Sequence, residues 1–218
     1  MIRNRLSLLF VLLFMTVAWP AVAQDATALD LTQTFTTDDG LVTFNYPDGW
    51  LIFNDDMIEG AVTISLKSTE SAQKSIYASD SVFEPGEVQI QILAGEKTLL
   101  ITSSDEITPD TSAVEIAQII VDQAEDFADF EFDDVQENEP DDLAAAGVEF
   151  TAPRRGEGGL LVVDYGDGLM GVYLLFTAPG ERDQWLPTFL EIAETVQIAA
   201  LGEATPEVTP EATATESA

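Results

Sequence analysis

Between residues 40 and 200 the apolar positions follow two periods, one of two residues and one between three and four, with turn residues falling between the runs. After the Asp39-Gly40 turn, Val42, Phe44 and Tyr46 alternate with Thr43 and Asn45, which predicts a strand with one apolar face. Pro47-Asp48-Gly49 supplies the next turn, its proline presetting φ at the first corner, and Trp50 to Phe53 resumes extended chain. Further strands are predicted over Val62 to Leu66, Val88 to Leu93, Val148 to Phe150, Leu160 to Tyr165 and Leu169 to Phe176. Gly166-Asp167-Gly168 joins the last two as a hairpin, and Gly156-Glu157-Gly158-Gly159 is expected to form another hairpin turn.

Leu169 to Phe176 is apolar on both faces, so this strand must be covered on both sides. Two segments with helical spacing can supply the covers. In one, Ala113, Ile116, Ile120, Ala124 and Phe127 recur behind Ser112, which forms a capping-box pattern with Glu115. The other runs from about Asp183 to Val196, with Trp185, Phe189, Ile192 and Val196 on one stripe and Leu186, Leu190 and Ala193 beside it. Pro187 is expected to limit where this second helix starts, because the proline ring is tolerated only near a first turn. The fold class is therefore α+β: an α/β/α sandwich, with an antiparallel sheet of about six or seven strands covered by helices on both faces.

The two ends follow neither period. Arg3 and Arg5 precede an apolar run from Leu6 to Val17, followed by Trp19-Pro20 and the small triplet Ala21-Val22-Ala23. This is the order of a secretory signal peptide over 1–23, cut after Ala23. A membrane anchor needs about 20 apolar residues and Pro20 interrupts this run, so no integral span is expected after cleavage. Residues 24–33 read as a linker, 34–199 as the α/β domain, and 200–218, with Thr-Pro-Glu twice, as a disordered acidic tail suited to act as a spacer or stalk. The expected location is secreted or extracytoplasmic, in a periplasm or at a cell surface.

Charge narrows the partners. The chain carries 8 basic and 40 acidic residues, −32 at pH 7, and loss of Arg3 and Arg5 with the signal would leave −34. Such a surface repels phosphates and anionic headgroups and excludes nucleic acid as a partner. With no histidine and no cysteine, imidazole catalysis, thiol chemistry, tetrahedral zinc and disulfides are all excluded. The fold must stand on its core alone.

Residues 37–50, Thr-Asp-Asp-Gly-Leu-Val-Thr-Phe-Asn-Tyr-Pro-Asp-Gly-Trp, resemble the opening of PsbP-like domains. So does the close, a strand such as Gly171 to Pro179 and then an amphipathic helix like Phe189 to Val196. The resemblance implies the sandwich shared by photosystem-associated extrinsic proteins, a Ran-binding nuclear import factor and many small exported bacterial proteins. It brings no catalytic residues. Residues 67–86 correspond to no element of that family.

Carboxylates are the reactive groups in surplus. Glycoside hydrolysis needs two of them roughly 5 to 9 Å apart in a cleft, and no pair stands out in the sequence. Ser71-Ala72-Gln73-Lys74 has the spacing of a Ser-Lys dyad with no supporting motif. No cofactor is expected beyond calcium or magnesium held weakly by oxygen ligands. Candidate ligands are Asp122, Glu125 and Asp126 late in the first helix, Asp129, Glu131, Asp133 and Asp134 after it, and Asp164 with Asp167 at the hairpin. None fits a calcium-loop motif, and Asp164 and Asp167 suit a turn. Arg154-Arg155 is expected to pair internally, and Trp50 and Trp185 to belong to the core. The sequence thus favours an exported, non-catalytic binding or accessory domain with a protein or cell-surface partner. Its alternatives are a cation-dependent or carboxylate-based hydrolase and a small-ligand carrier, which would show an apolar pocket between sheet and helix.

Overall fold

The computed structural model describes residues 27–58, 60–72, 82–100, 107–127, 130–138, 143–152 and 156–199, and of 54–58, 125–127 and 138 the backbone alone. The segment read as a signal, 1–23, the segment read as a tail, 200–218, Lys74 and Arg154-Arg155 lie outside the described residues. The elements are β1 (Gln33–Thr36), β2 (Val42–Tyr46), β3 (Leu51–Ile58), β4 (Ala61–Lys67), a single 3-10 turn (Glu70–Ala72), β5 (Val88–Glu96) and α1 (Lys97–Leu100). There follow α2 (Ala113–Phe127), β6 (Glu131–Phe132), β7 (Gln136–Asn138), β8 (Ala145–Ala152), β9 (Gly156–Gly166), β10 (Leu169–Thr177), α3 (Arg182–Thr195) and β11 (Gln197–Ile198).

The main sheet has the order β3-β4-β5-β10-β9-β8-β6, with β7 also paired to β8, and every pairing is antiparallel. It holds eight strands, more than the six or seven expected, and it excludes β2. Gly49, with φ +79°, turns the chain after Pro47, so that β2 pairs with β1 and β11 in a separate three-stranded sheet. The segment read as a linker is also occupied: Gln33 opens β1, and the Leu29 N–H donates to Thr188 Oγ1 on α3 at 3.0 Å.

β10 lies in the middle of the sheet and is buried on both faces, as its doubly apolar sequence requires. Tyr173 and Leu175 join the core under α3 and β2, while Met170 and Val172 join the core under α2. The β9–β10 hairpin closes through Asp167 and Gly168, with φ of 51° and 77°, the left-handed pair that a two-residue turn between right-twisted strands demands. Gly156-Glu157-Gly158-Gly159, expected to turn, instead begins β9. Pro187 falls in the second turn of α3, which starts five residues earlier at Arg182. Among the described residues no helix is long and apolar enough to cross a membrane.

The capping box of α2 is formed as its sequence predicts. Glu115 Oε2 accepts from the Ser112 backbone N–H at 3.0 Å and from its hydroxyl at 2.8 Å, and Ser112 Oγ accepts from the Glu115 N–H at 3.3 Å. The Ser112 N–H, and then its hydroxyl, hold the Glu115 carboxyl below its ordinary range. A carboxylate with a lowered folded-state pKa stabilises above its unfolded value, and that contribution is lost as pH falls through the folded value. Ser112→Ala is expected to cost about 1 kcal/mol near neutral pH, with the deficit shrinking toward strongly acid pH. Urea unfolding at neutral pH and in acid measures this, and a deficit independent of pH would remove the carboxylate from the account.

Candidate functional site

Helix α3 packs on β2, β9 and β10 and stops short of covering the next strand, β8. The space beside it is a half-open cleft of about 920 Å³. One wall is α3, through Leu186, Phe189, Leu190 and Ala193, continued by Val196 just past its end. The floor comes from Gly147, Gly159, Leu161, Val163 and Tyr165 on β8 and β9, with Leu143 at one end. The opposite wall is the link between β6 and β7, which brings Asp133 and Asp134, with Gln136 at the start of β7.

Register explains the hollow. Side chains alternate across a strand, so Gly147 on β8 and Gly159, Leu161 and Val163 on β9 face α3. Gly147 pairs with Leu161, and Gly159 with Glu149, so two of the floor positions beneath the helix carry no side chain. A Cβ at Gly159 would meet only the Val148 carbonyl oxygen, at 3.8 Å, an ordinary contact. The glycine therefore leaves open space that a side chain could fill.

At the end of the floor, the hydroxyl of Tyr165 hydrogen-bonds that of Tyr173, which is fully buried beneath α3. Burial pushes both phenols above their ordinary pKa, Tyr173 the further, and the pair stays protonated at neutral pH. Gly171 makes room for it, because a Cβ there would collide with the Tyr173 ring. The cleft thus has an apolar floor with one satisfied polar edge.

Its mouth is acidic. Asp133, Asp134, Glu149 and Glu194 are the charged residues that line it among those described, and all are negative. Glu149 is already paired, its Oε2 lying 2.7 Å from Arg182 Nη2. The Arg182 backbone N–H donates to Glu157 Oε1 at 2.7 Å, so the first residue of α3 is tied to both β8 and β9. The Asp133 N–H donates to the Glu149 carbonyl at 3.0 Å, which fixes the β6–β7 link against β8.

The acidic residues expected to hold a cation are dispersed. Asp122 is exposed and accepts from Gln118 Nε2 at 2.7 Å. The side chains of Glu125 and Asp126, and Asp129 as a whole, lie outside the described residues. Asp164 is engaged by Lys97 Nζ at 2.7 Å and by the Gly166 N–H at 2.9 Å, and Asp167 forms the hairpin turn. Among the described residues no three acids come together as metal ligands do. Asp133 and Asp134 came from the same reading, and they sit in the cleft mouth. Sequence reasoning missed the glycine floor; its signal was Gly147 and Gly159, each lying on the face of its strand that the neighbouring apolar residues assign to the core.

No family model and no curated protein matches the chain. Among solved structures it is similar to the solution structure of cyanobacterial PsbP (CyanoP) from Synechocystis sp. PCC 6803, at 15% identity, TM-score 0.47, over 77% of this chain and 92% of that one. It is also similar to the crystal structure of a protein of unknown function from Pseudomonas aeruginosa, PA94, at 11% identity, TM-score 0.43, over 77% of this chain and 97% of that one.

Proposed function

We propose that the chain is an exported, non-catalytic binding domain, and that the cleft between α3 and the sheet holds a small ligand with a largely apolar body. The observation that carries this reading is the glycine-floored hollow of about 920 Å³, walled by leucine, valine and phenylalanine side chains. That size is in the range of sites that enclose drug-sized molecules. A packed core fills such spaces, because each void forfeits dispersion contacts. The absence of imidazole and thiol from the whole chain supports binding over catalysis. The export signal and acidic tail support a role outside the cytoplasm, the tail serving as a spacer toward a protein or cell-surface component.

The direct test fills the cleft. Gly159→Leu places an isobutyl group over the floor in extended backbone that tolerates a Cβ, so the variant is expected to melt at or above the wild-type temperature. Calorimetric titration with ten-carbon amphiphiles below their micellar concentration is expected to show saturable binding to the wild type and at least about tenfold weaker binding to the variant. Binding of equal strength in both would move the site away from the cleft, and no binding in either would remove the reading.

A further inference from the structure

Resting on that reading of the cleft, we infer that its occupant is an amphipathic cation, with an apolar body on the floor and a positive group at the mouth. The floor is uncharged, and the charges around it have one sign. Arg182 already neutralises Glu149. That leaves Asp133 and Asp134 on one wall and Glu194 on the other, all three exposed at the rim. No lysine or arginine is among the described residues that line the cleft, so a carboxylate or phosphate headgroup would find no counter-charge there. A concave site with low-dielectric walls and one sign of charge focuses its field and concentrates ions of the opposite sign. The rest of the molecule acts in the same direction, since the chain carries −32 at pH 7.

The two parts of the site do different work. Apolar area supplies affinity for the body regardless of its head, and the rim selects among heads. A ligand with the same tail should therefore rank by charge: cation first, neutral second, anion last.

The test compares decyltrimethylammonium, 1-decanol and decanoate by calorimetry on the full mature chain, below their micellar concentrations. Decyltrimethylammonium is expected to bind at least about tenfold more tightly than decanoate, with decanol between them. Asp133→Asn with Asp134→Asn is expected to weaken the cation about fivefold or more and to leave decanol unchanged, because only the cation meets those carboxylates. Asp38→Asn with Glu70→Gln removes the same charge from exposed positions outside the cleft lining, and is expected to change the cation's affinity by less than about twofold.

If decanol and the cation bind the wild type equally, and Gly159→Leu weakens both, the cleft reading stands and the charge inference fails. The inference fails equally if the remote pair costs the cation as much as the rim pair. If none of the three binds, both readings are overturned.

Discussion

Gly158→Ala is expected to lower the melting temperature by roughly 10 °C, about 3 kcal/mol, while Gly159→Ala, one residue along, is expected to leave it unchanged or raise it slightly. The two glycines are neighbours in β9 but point to opposite faces of the sheet. A Cβ at Gly158 would collide with the Leu175 carbonyl oxygen and stand 2.7 Å from Phe150 Cζ. The carbonyl belongs to the backbone of β10, so relief means shifting a ladder at the centre of the sheet rather than rotating a side chain. Gly158 pairs with Phe150 on one side and Phe176 on the other, and their rings, 5.3 Å apart, close over it. Phe83 stacks in turn on Phe176 at 6.1 Å. At Gly159 the nearest atom to an added Cβ is 3.8 Å away, and alanine only removes the entropic cost of glycine in a strand. Scanning calorimetry of the two variants decides it; equal melting temperatures would mean that the sheet absorbs the collision cheaply.

The second large effect belongs to Lys97. Its side chain is 4% exposed, and its ammonium group meets three acceptors: the Pro109 carbonyl at 2.9 Å, the Thr111 carbonyl at 3.2 Å and Asp164 Oδ2 at 2.7 Å. An ammonium has three protons to donate, so the group is satisfied. It joins α1 and the β9–β10 hairpin to the segment that leads into α2. Asp164→Ala would leave that charge buried beside two neutral carbonyls, and is expected to cost about 3 to 5 kcal/mol. Lys97→Met strands a carboxylate that is 21% exposed, and water moderates its cost to about 2 to 3 kcal/mol. The double variant is expected to lose less than the sum, because each change removes the reason the other hurts. A double-mutant cycle in urea gives the coupling; strict additivity would show that the two groups stabilise separate parts of the domain.

The parts legible in the sequence were those whose cause is local. The Asp167-Gly168 turn needs two left-handed residues, and the dipeptide announces it. The Ser112 cap and the doubly apolar run from Leu169 to Phe176 carry their reasons within a few residues. Gly156 to Gly159 misled because glycine-rich sequence ordinarily bends. Gly158 is required there by the Leu175 carbonyl of β10 and the Phe150 ring of β8, which only register brings together. Lys97 stands among Gly95, Glu96 and Thr98, where nothing local separates a buried lysine from a solvated one. The cleft was least legible of all, since it is made of side chains that two facing strands lack. Of its acidic rim the sequence singled out Asp133 and Asp134, as candidate cation ligands, while Glu149 and Glu194 carried no local signal.

The contact between Trp50 and Trp185 gives the protein an optical consequence. Beyond Trp19, in the segment read as a signal, these are the chain's tryptophans, and their rings meet edge to face at 6.1 Å between β3's approach and the first turns of α3. Trp185 immediately precedes Leu186 on the cleft wall. With residues 1–23 removed, the indole emission arises from one junction, and its colour and quenching register how firmly that helix is seated, with no label added.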